Sequence, residues 1–270
     1  MKALINTINT LETGNNPLPF SIYSSTKEQN LLNVPVIKPL LIAILSGDKQ
    51  LGEDTDITCT AGEFVFLSNT ASVNMRNIPK QNSYHALLIE FDYQDFENLQ
   101  INSANEATLC IGDITETLAK CLEQFVEWSA WAPVELWPLR RKEILQLLCH
   151  MGHKEILSMA TDTNLAHQVH AFFSDQLAHS GTLSSEYICH QLAMSESTLR
   201  RKLKSQNTTA QEIKDQARLG LGLHLLQSTH DAIGLIADQC GYQSQSRFTE
   251  RFKALFGLTP SELRKTKLTD

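Results

Sequence analysis

The apolar residues of this 270-residue chain change their period once, and that change constrains the fold more than any single motif. Between Val34 and Asp92 they come in short runs or in alternation: IKPLLIAIL (Ile37–Leu45), ITCTAGEFVFLS, SVNMRNIP and YHALLIEFD. Gly, Asn, Asp and Pro separate the runs, and Gly47, Gly52 and Gly62 fall where hairpins would turn. This pattern predicts an antiparallel sheet curled into a small barrel or sandwich. After Asp92 the period becomes helical. ITETLAKCLEQFVEWSAW (Ile114–Trp131) places Ile114, Leu118, Cys121, Leu122, Phe125 and Val126 on one face. Pro133 and Pro138 punctuate, and RRKEILQLLCHMGHKEIL (Arg140–Leu157) predicts a second amphipathic helix. A helix pair placed there either covers an open side of the barrel or pairs with another subunit.

TDTN (Thr161–Asn164) is a polar break that can also cap the helix after it, so the predicted domains are residues 1–162 and 163–270. The second part is helical throughout, with stops at HSGT (His179–Thr182), QNTT (Gln206–Thr209) and LQSTHD (Leu226–Asp231). The expected fold class is α+β: an antiparallel β-barrel with flanking helices, then an all-α domain. Apolar residues make up 42% of the chain and charged residues 20%, a balance that excludes a disordered chain. No stretch of 18 apolar residues occurs, which argues against a membrane span. The opening MKALINTINTLETGNNPLPF lacks an apolar run behind a basic segment, so no secretory signal is expected. Six cysteines lie far apart with no CxxC pair, which points away from zinc ribbons and disulfides and toward a reducing cytoplasm.

A net charge of −7 argues at first against a nucleic-acid partner, but the charge is unevenly placed. Residues 1–162 carry 11 Lys/Arg against 20 Asp/Glu, whereas residues 163–270 carry 12 against 10. Arg200, Arg201, Lys202 and Lys204 fall within five positions, and clustering on one helix matters more for phosphate contact than the total. In SSEYICHQLAMSESTLRRKLKSQ (Ser184–Gln206), Ile188 and Leu192 mark the buried side of a short helix and Ala193-Met194-Ser195 a tight turn. Ser195 then caps a helix that buries Leu199 and Leu203 and presents Ser197, Arg200, Arg201 and Lys204 outward. That is a helix-turn-helix arrangement, in which Arg can bond guanine O6 and N7 together while Lys and Ser hold phosphates.

DAIGLIADQCGYQSQSRFTERFKALFGLTPSELRK (Asp231–Lys265) repeats the design. Ile233, Ile236, Ala237 and Cys240 form an apolar stripe, and Gly241 sits where a left-handed residue is needed, with Tyr242 packing back. Phe248, Phe252, Leu255 and Phe256 face inward on the next helix; Ser246, Arg247, Glu250 and Lys253 face outward, with Gln245 in the first turn. Thr259 caps a last helix with Pro260 in its first turn. AQEIKDQARLGLGLHLLQS (Ala210–Ser228) joins the two units as one long helix, which would hold two reading helices about 34 Å apart on one side of a duplex.

From about Leu183 to Lys265 the chain resembles the DNA-binding domain of the AraC/XylS family of bacterial transcription regulators, through LAMSESTLRRKL, the QAR…LLQS helix and IADQCGYQSQSRFTERFKALFGLTPSELRK. The strand-rich half, with IKPLLIAILSG and the later FD, is similar to the cupin-like sensory domains of that family. The resemblance implies a DNA-binding regulator, commonly an activator acting with RNA polymerase, dimerised or controlled by a small-molecule effector through its first domain. It implies base or phosphate contacts at Ser197, Arg200 and Arg201, and at Gln245, Ser246, Arg247 and Glu250. Of the first set, Arg201 is assigned to a base edge and Arg200 to phosphate, while Lys204 and Lys253 read either as further phosphate contacts or as plain surface. Two positions depart from the family pattern. Ala193 stands where Gly is usual, which a turn of right-handed backbone would tolerate, and Glu250 stands where a basic or polar residue is common. A carboxylate there can accept from cytosine N4 but repels phosphate, and it can equally pair with Arg247 or Lys253 on its own helix.

Other residues read as structure. His150/His153 and His167/His170 are taken as helix-surface residues, because no third ligand stands at metal spacing. His85 alone in the strand region does not make a cupin metal set, so no metal, cofactor or catalytic residue is expected. Trp128, Trp131 and Trp137 are assigned to helix packing. A cupin-type enzyme with a helical appendage and a protein-binding helical adaptor are the alternatives to a DNA reader.

Overall fold

The computed structural model describes residues 2–11, 18–52, 57–68, 72–99, 107–160, 165–178 and 185–267. The first part runs α1 (Lys2–Thr10), β1 (Ser21–Ser25), β2 (Gln29–Val34), β3 (Leu40–Ser46), β4 (Asp48–Leu51), β5 (Ile57–Thr60), β6 (Glu63–Leu67), β7 (Val73–Ile78), β8 (Tyr84–Glu90), β9 (Leu109–Asp113), α2 (Glu116–Ser129) and α3 (Trp137–His150). A five-stranded sheet in the order β1-β8-β3-β6-β9 and a four-stranded sheet in the order β2-β7-β4-β5 are both antiparallel.

The near-continuous apolar run of β3 is explained by burial on both faces. Leu40, Ile42 and Ile44 join Leu51, Cys59 and Met75 of the other sheet in one core, while Leu41, Ala43 and Leu45 point to the opposite side. There they meet Leu4 of α1, Leu118, Leu122, Phe125 and Val126 of α2, and Ile144, Leu145 and Leu148 of α3. The helix pair therefore covers a sheet. At about 1.5–3 kcal/mol for each fully buried large apolar side chain, this face holds the layers together. Arg141 of α3 bonds both Asp92 and Asp95 in the segment after β8. Burial pushes the Asp92 carboxyl up, but Lys38 and Arg141 outweigh it and hold the group below its usual range.

Gly47, Gly52 and Gly62 take the expected positive φ. Other expectations need correction. Three strands reach beyond the predicted strand range: β1, most of β2, and β9. The polar SIYSS of β1 gave no hydrophobic signal, and β9 is five residues long, paired to β6 at the sheet edge. The second helix starts at Trp137, with Pro138 in its first turn, and ends at His150. Gly152 at φ +108 breaks it, and Lys154–Ala160 forms a separate 3-10 segment. Trp131 is 73% exposed, so its helix-packing assignment fails, and Val134, Leu136 and Leu139 are exposed beside it.

The second part is helical, as expected: α4 (Leu165–Ala178), α5 (Ser185–Gln191), α6 (Glu196–Ser205), α7 (Ala210–Ser228), α8 (Ile233–Gln239), α9 (Gln245–Phe256) and α10 (Pro260–Arg264). The predicted boundary at Thr161–Asn164 and the stop at His179–Thr182 lie outside the described residues.

Candidate nucleic-acid interface

In the first helix-turn-helix unit, the Ser195 hydroxyl accepts from the Thr198 amide and starts α6. Leu199 and Leu203 bury against Ile188 of α5, Val169 and Phe173 of α4, and Ile213 and Ala217 of α7. With that side fixed, the 100° step puts Ser197, Arg200, Arg201 and Lys204 on the solvent side, where all four are exposed. The Ser197 hydroxyl lies 3.0 Å from that of Ser195 and so shares in the cap. The turn differs from expectation. Ala193 has φ +47, a left-handed conformation, because the turn must bring the Met194 amide back to the Cys189 carbonyl, 3.0 Å away. An L-residue held there costs about 1–2 kcal/mol.

The linker α7 spans the residues predicted for it, closed at its start by the Thr209–Glu212 capping box. In the second unit Gly241 has φ +75, and Tyr242 packs edge-on to Phe248 at 5.4 Å between centroids. Arg218 of α7 lies over the Tyr242 ring at 5.7 Å and would sit 3.2 Å from a Cβ at residue 241; the backbone favours glycine there, and a side chain would also displace the guanidinium slightly. Ser244 caps α9, and Phe248, Phe252 and Phe256 are fully buried. Gln245, Ser246, Arg247 and Glu250 are exposed.

Among the described residues, no carboxylate pairs with Arg200, Arg201, Lys204 or Arg247, and Glu250 pairs with neither Arg247 nor Lys253. The cations are thus free to meet an external anion. Arg251, four residues after Arg247 and exposed, extends the same face and was missed, although the i, i+4 spacing could have found it.

The second unit is docked on the first domain. Leu31 of β2 enters its core beside Leu219, Leu223, Leu226, Phe252 and Phe256. The Thr26 amide donates to the Thr266 carbonyl at 2.7 Å, Gln29 Nε2 to Thr266 Oγ1 at 2.7 Å, and Asn33 Nδ2 to the Leu255 carbonyl at 3.2 Å. Gln29 Oε1 accepts from Gln227 at 3.2 Å and from Asn77 at 2.9 Å; Asn77 Oδ1 in turn accepts from the buried Lys49 at 2.8 Å. Burial lowers the Lys49 pKa to about 8. His224 of α7 lies 3.4 Å from the Tyr23 hydroxyl and 3.5 Å from that of Ser21, its pKa lowered mainly by burial and only partly restored by Glu90. A cleft of about 300 Å³ opens along this junction between Glu28, Asn30 and Leu32 on one side and Gly257, Leu258 and Glu262 on the other.

The histidines depart from the surface assignment. His167 and His170 are 9% and 5% exposed, and His170 meets Ser174 Oγ at 3.1 Å. Burial, with His167 adding to it, lowers the His170 pKa to about 4.

Two helix-turn-helix units on one linker helix, each with a polar or cationic outer face, define the class of domain. Residues 188–266 match the sequence profile described as a helix-turn-helix domain. The porin thermoregulatory protein EnvY of Escherichia coli strain K12 is 37% identical over 73 residues, 27% of this chain and 29% of that protein. The HTH-type transcriptional activator RhaS of Escherichia fergusonii is 33% identical over 135 residues, 48% of each chain. The chain thus spans about half or less of the length of these curated relatives. Unsaturated-fatty-acid-bound ToxT from Vibrio cholerae has the same fold over 95% of this chain and 98% of its own, with a TM-score of 0.66 at 16% identity. Residues 188–266 are thus similar to the helix-turn-helix domain of AraC-type regulators. Among the described residues, no helix is long and apolar enough to cross a membrane.

Proposed function

We propose that this chain is a sequence-specific regulator of transcription, in which α6 and α9 enter successive major grooves of double-stranded DNA. The observation that carries the reading is the set of exposed, unpaired cations on α6 and α9. On α6, Arg201 reads a base edge, while Arg200 and Lys204 hold phosphates and Ser197 supports them. On α9, Gln245, Ser246 and Arg247 supply base or phosphate contacts, and Glu250 accepts from a cytosine N4. RhaS is named an activator, and recruitment of RNA polymerase is the corresponding role here.

Residues 1–162 form the regulatory part and residues 163–270 the reader. ToxT holds an unsaturated fatty acid in its solved structure, and a small-molecule effector or homodimer formation is the corresponding role of the first domain here. The junction at Gln29, Leu31 and Thr266 is the route by which such a signal reaches α9. The junction cleft is lined by the carboxylates Glu28 and Glu262, which disfavours an anionic ligand at that place. Genome-wide mapping of bound DNA, followed by duplex binding across a salt series, tests the reading. A recurrent site whose affinity falls steeply with salt is expected. Partner binding that ignores salt, with no enriched duplex, would point instead to a protein-binding adaptor.

A further inference from the structure

Cys110 on β9 meets two residues from the segment after α3, and the three donor atoms form a small triangle. Cys110 Sγ lies 3.3 Å from His153 Nδ1 and 3.0 Å from Glu155 Oε1, and the nitrogen and oxygen are 3.6 Å apart. The thiol is buried, while the His153 and Glu155 side chains are 22% and 30% exposed, so the triangle has one side toward solvent.

The arrangement differs from a catalytic relay. In a relay the nucleophile and the orienting carboxylate sit on opposite ring nitrogens of the histidine. Here sulfur and carboxylate both approach Nδ1, and each also approaches the other. Convergence of three donors on one point is what a metal ion requires. A tetrahedral ion with a bond of about 2.3 Å to sulfur and about 2.0 Å to nitrogen and oxygen has ligand edges of roughly 3.3–3.5 Å. The observed edges of 3.0, 3.3 and 3.6 Å scatter around that range, so an ion enters once the Glu155 carboxylate swings slightly away from sulfur and toward nitrogen.

The histidine is held in place before any ion arrives. Phe64 stands edge-on to its ring at 5.1 Å, and Gly112 leaves room for it: a Cβ at residue 112 would lie 2.6 Å from Cε1 and 2.7 Å from Nε2. The left-handed Gly152 turns the chain, and the His153 amide is fixed to the Leu148 carbonyl at 3.1 Å.

We propose that Cys110, His153 and Glu155 bind one divalent transition-metal ion of the zinc type, with a water in the fourth, solvent-facing position. A thiolate, an imidazole and a carboxylate together suit zinc and do not suit magnesium or calcium, which take oxygen ligands. Binding forms the metal–sulfur bond and releases the thiol proton to solvent. The ion clamps the edge strand β9 to the segment Lys154–Ala160, which leads toward the reading domain.

The test uses the full chain, reduced and stripped of metal, titrated with cobalt(II). One equivalent should give a thiolate-to-cobalt charge-transfer band with tetrahedral ligand-field bands, all displaced by zinc, together with a rise in Tm. Cys110→Ser should abolish the charge-transfer band, and Glu155→Gln and His153→Gln should each weaken affinity by roughly 100-fold or more. Cys149→Ser, close in sequence but outside the triangle, should leave the band unchanged. Glu155 is partly exposed, so its variant reports even where Cys110→Ser does not fold. No band from the folded parent in excess cobalt would overturn the proposal, as would a band that survives Cys110→Ser or is lost in Cys149→Ser.

Discussion

In the first helix-turn-helix unit the tight turn passes through Ala193 at φ +47; in the second it passes through Gly241 at φ +75. The first unit closes over Leu199, Leu203, Ile188 and a single fully buried phenylalanine, Phe173. The second closes over Phe248, Phe252 and Phe256, with Tyr242 edge-on to Phe248 and Leu31 inserted from the first domain. Their outer faces differ in the opposite sense. Arg200, Arg201, Lys202 and Lys204 crowd α6, whereas α9 carries Arg247, Arg251 and Lys253 around Glu250. One unit is thus better held and the other better charged. Among the described residues, the cross-domain hydrogen bonds land on α7, on α9 and on the segment after α10, which belong to the second unit and its linker. Under the proposed function, a signal from the first domain would reach α9 directly and α6 through α7. The difference suits a division in which the second unit sets position and the first supplies grip.

The division can be broken first at the cores. Phe252→Ala should cost about 3–5 kcal/mol, read as a lower Tm or denaturant midpoint, because it removes a fully buried ring at the centre of the second unit. A loss below about 1 kcal/mol would show that unit to be loosely packed.

Acid tests the first unit. His170 lies on the buried side of α4 with a pKa lowered to about 4, so the unfolded chain takes up its proton near pH 6.5 and the folded chain only near 4. Its contribution is complete above about pH 6.5 and falls as the pH drops through that window, by on the order of 2 kcal/mol. His224, also lowered, shifts the junction in the same direction. Unfolding curves across that range, with His170→Gln as control, should show the slope flatten in the variant.

On DNA, Arg201→Ala should cost about 1–3 kcal/mol on the cognate site and relax discrimination at one base pair. Arg247→Ala should cost less. Equal losses, measured by duplex titration at fixed salt, would dissolve the proposed division of labour.

The turns give the smallest and most symmetrical pair. Gly241→Ala should destabilise by about 1–2 kcal/mol, and Ala193→Gly should stabilise by about 0.5–1 kcal/mol, since only the second substitution relieves a left-handed L-residue. Thermal denaturation of the two variants decides it; a destabilised Ala193→Gly would mean that the methyl group's packing outweighs the strain.

Much of the reading domain was legible because it is local. The Ser195, Thr209 and Thr259 caps, the span of α7 and the outward set on α6 and α9 each follow from residues three or four apart. The turn at Ala193 was not legible: whether an alanine takes right- or left-handed backbone depends on where the flanking helices must go. The edge strands escaped because SIYSS is mostly polar and LCIGD is too short to carry a period, and they are strands only through β8 and β6. His167 and His170 looked like surface residues because helical spacing alone does not say which stripe of α4 meets α7.

What the sequence determined by itself was the pair of helix-turn-helix units, the linker between them and the change from strands to helices. These rest on periodicity, capping and turn chemistry, which act within a few residues. Only the tertiary structure decided that Leu31 completes the core of the second unit, that Gln29 meets Gln227 and Thr266, and that Cys110 meets His153 and Glu155. Those partners lie 43 residues apart or more, up to 237. No local period encodes such meetings; they arise when packing of the sheets and helices closes the long loops between them.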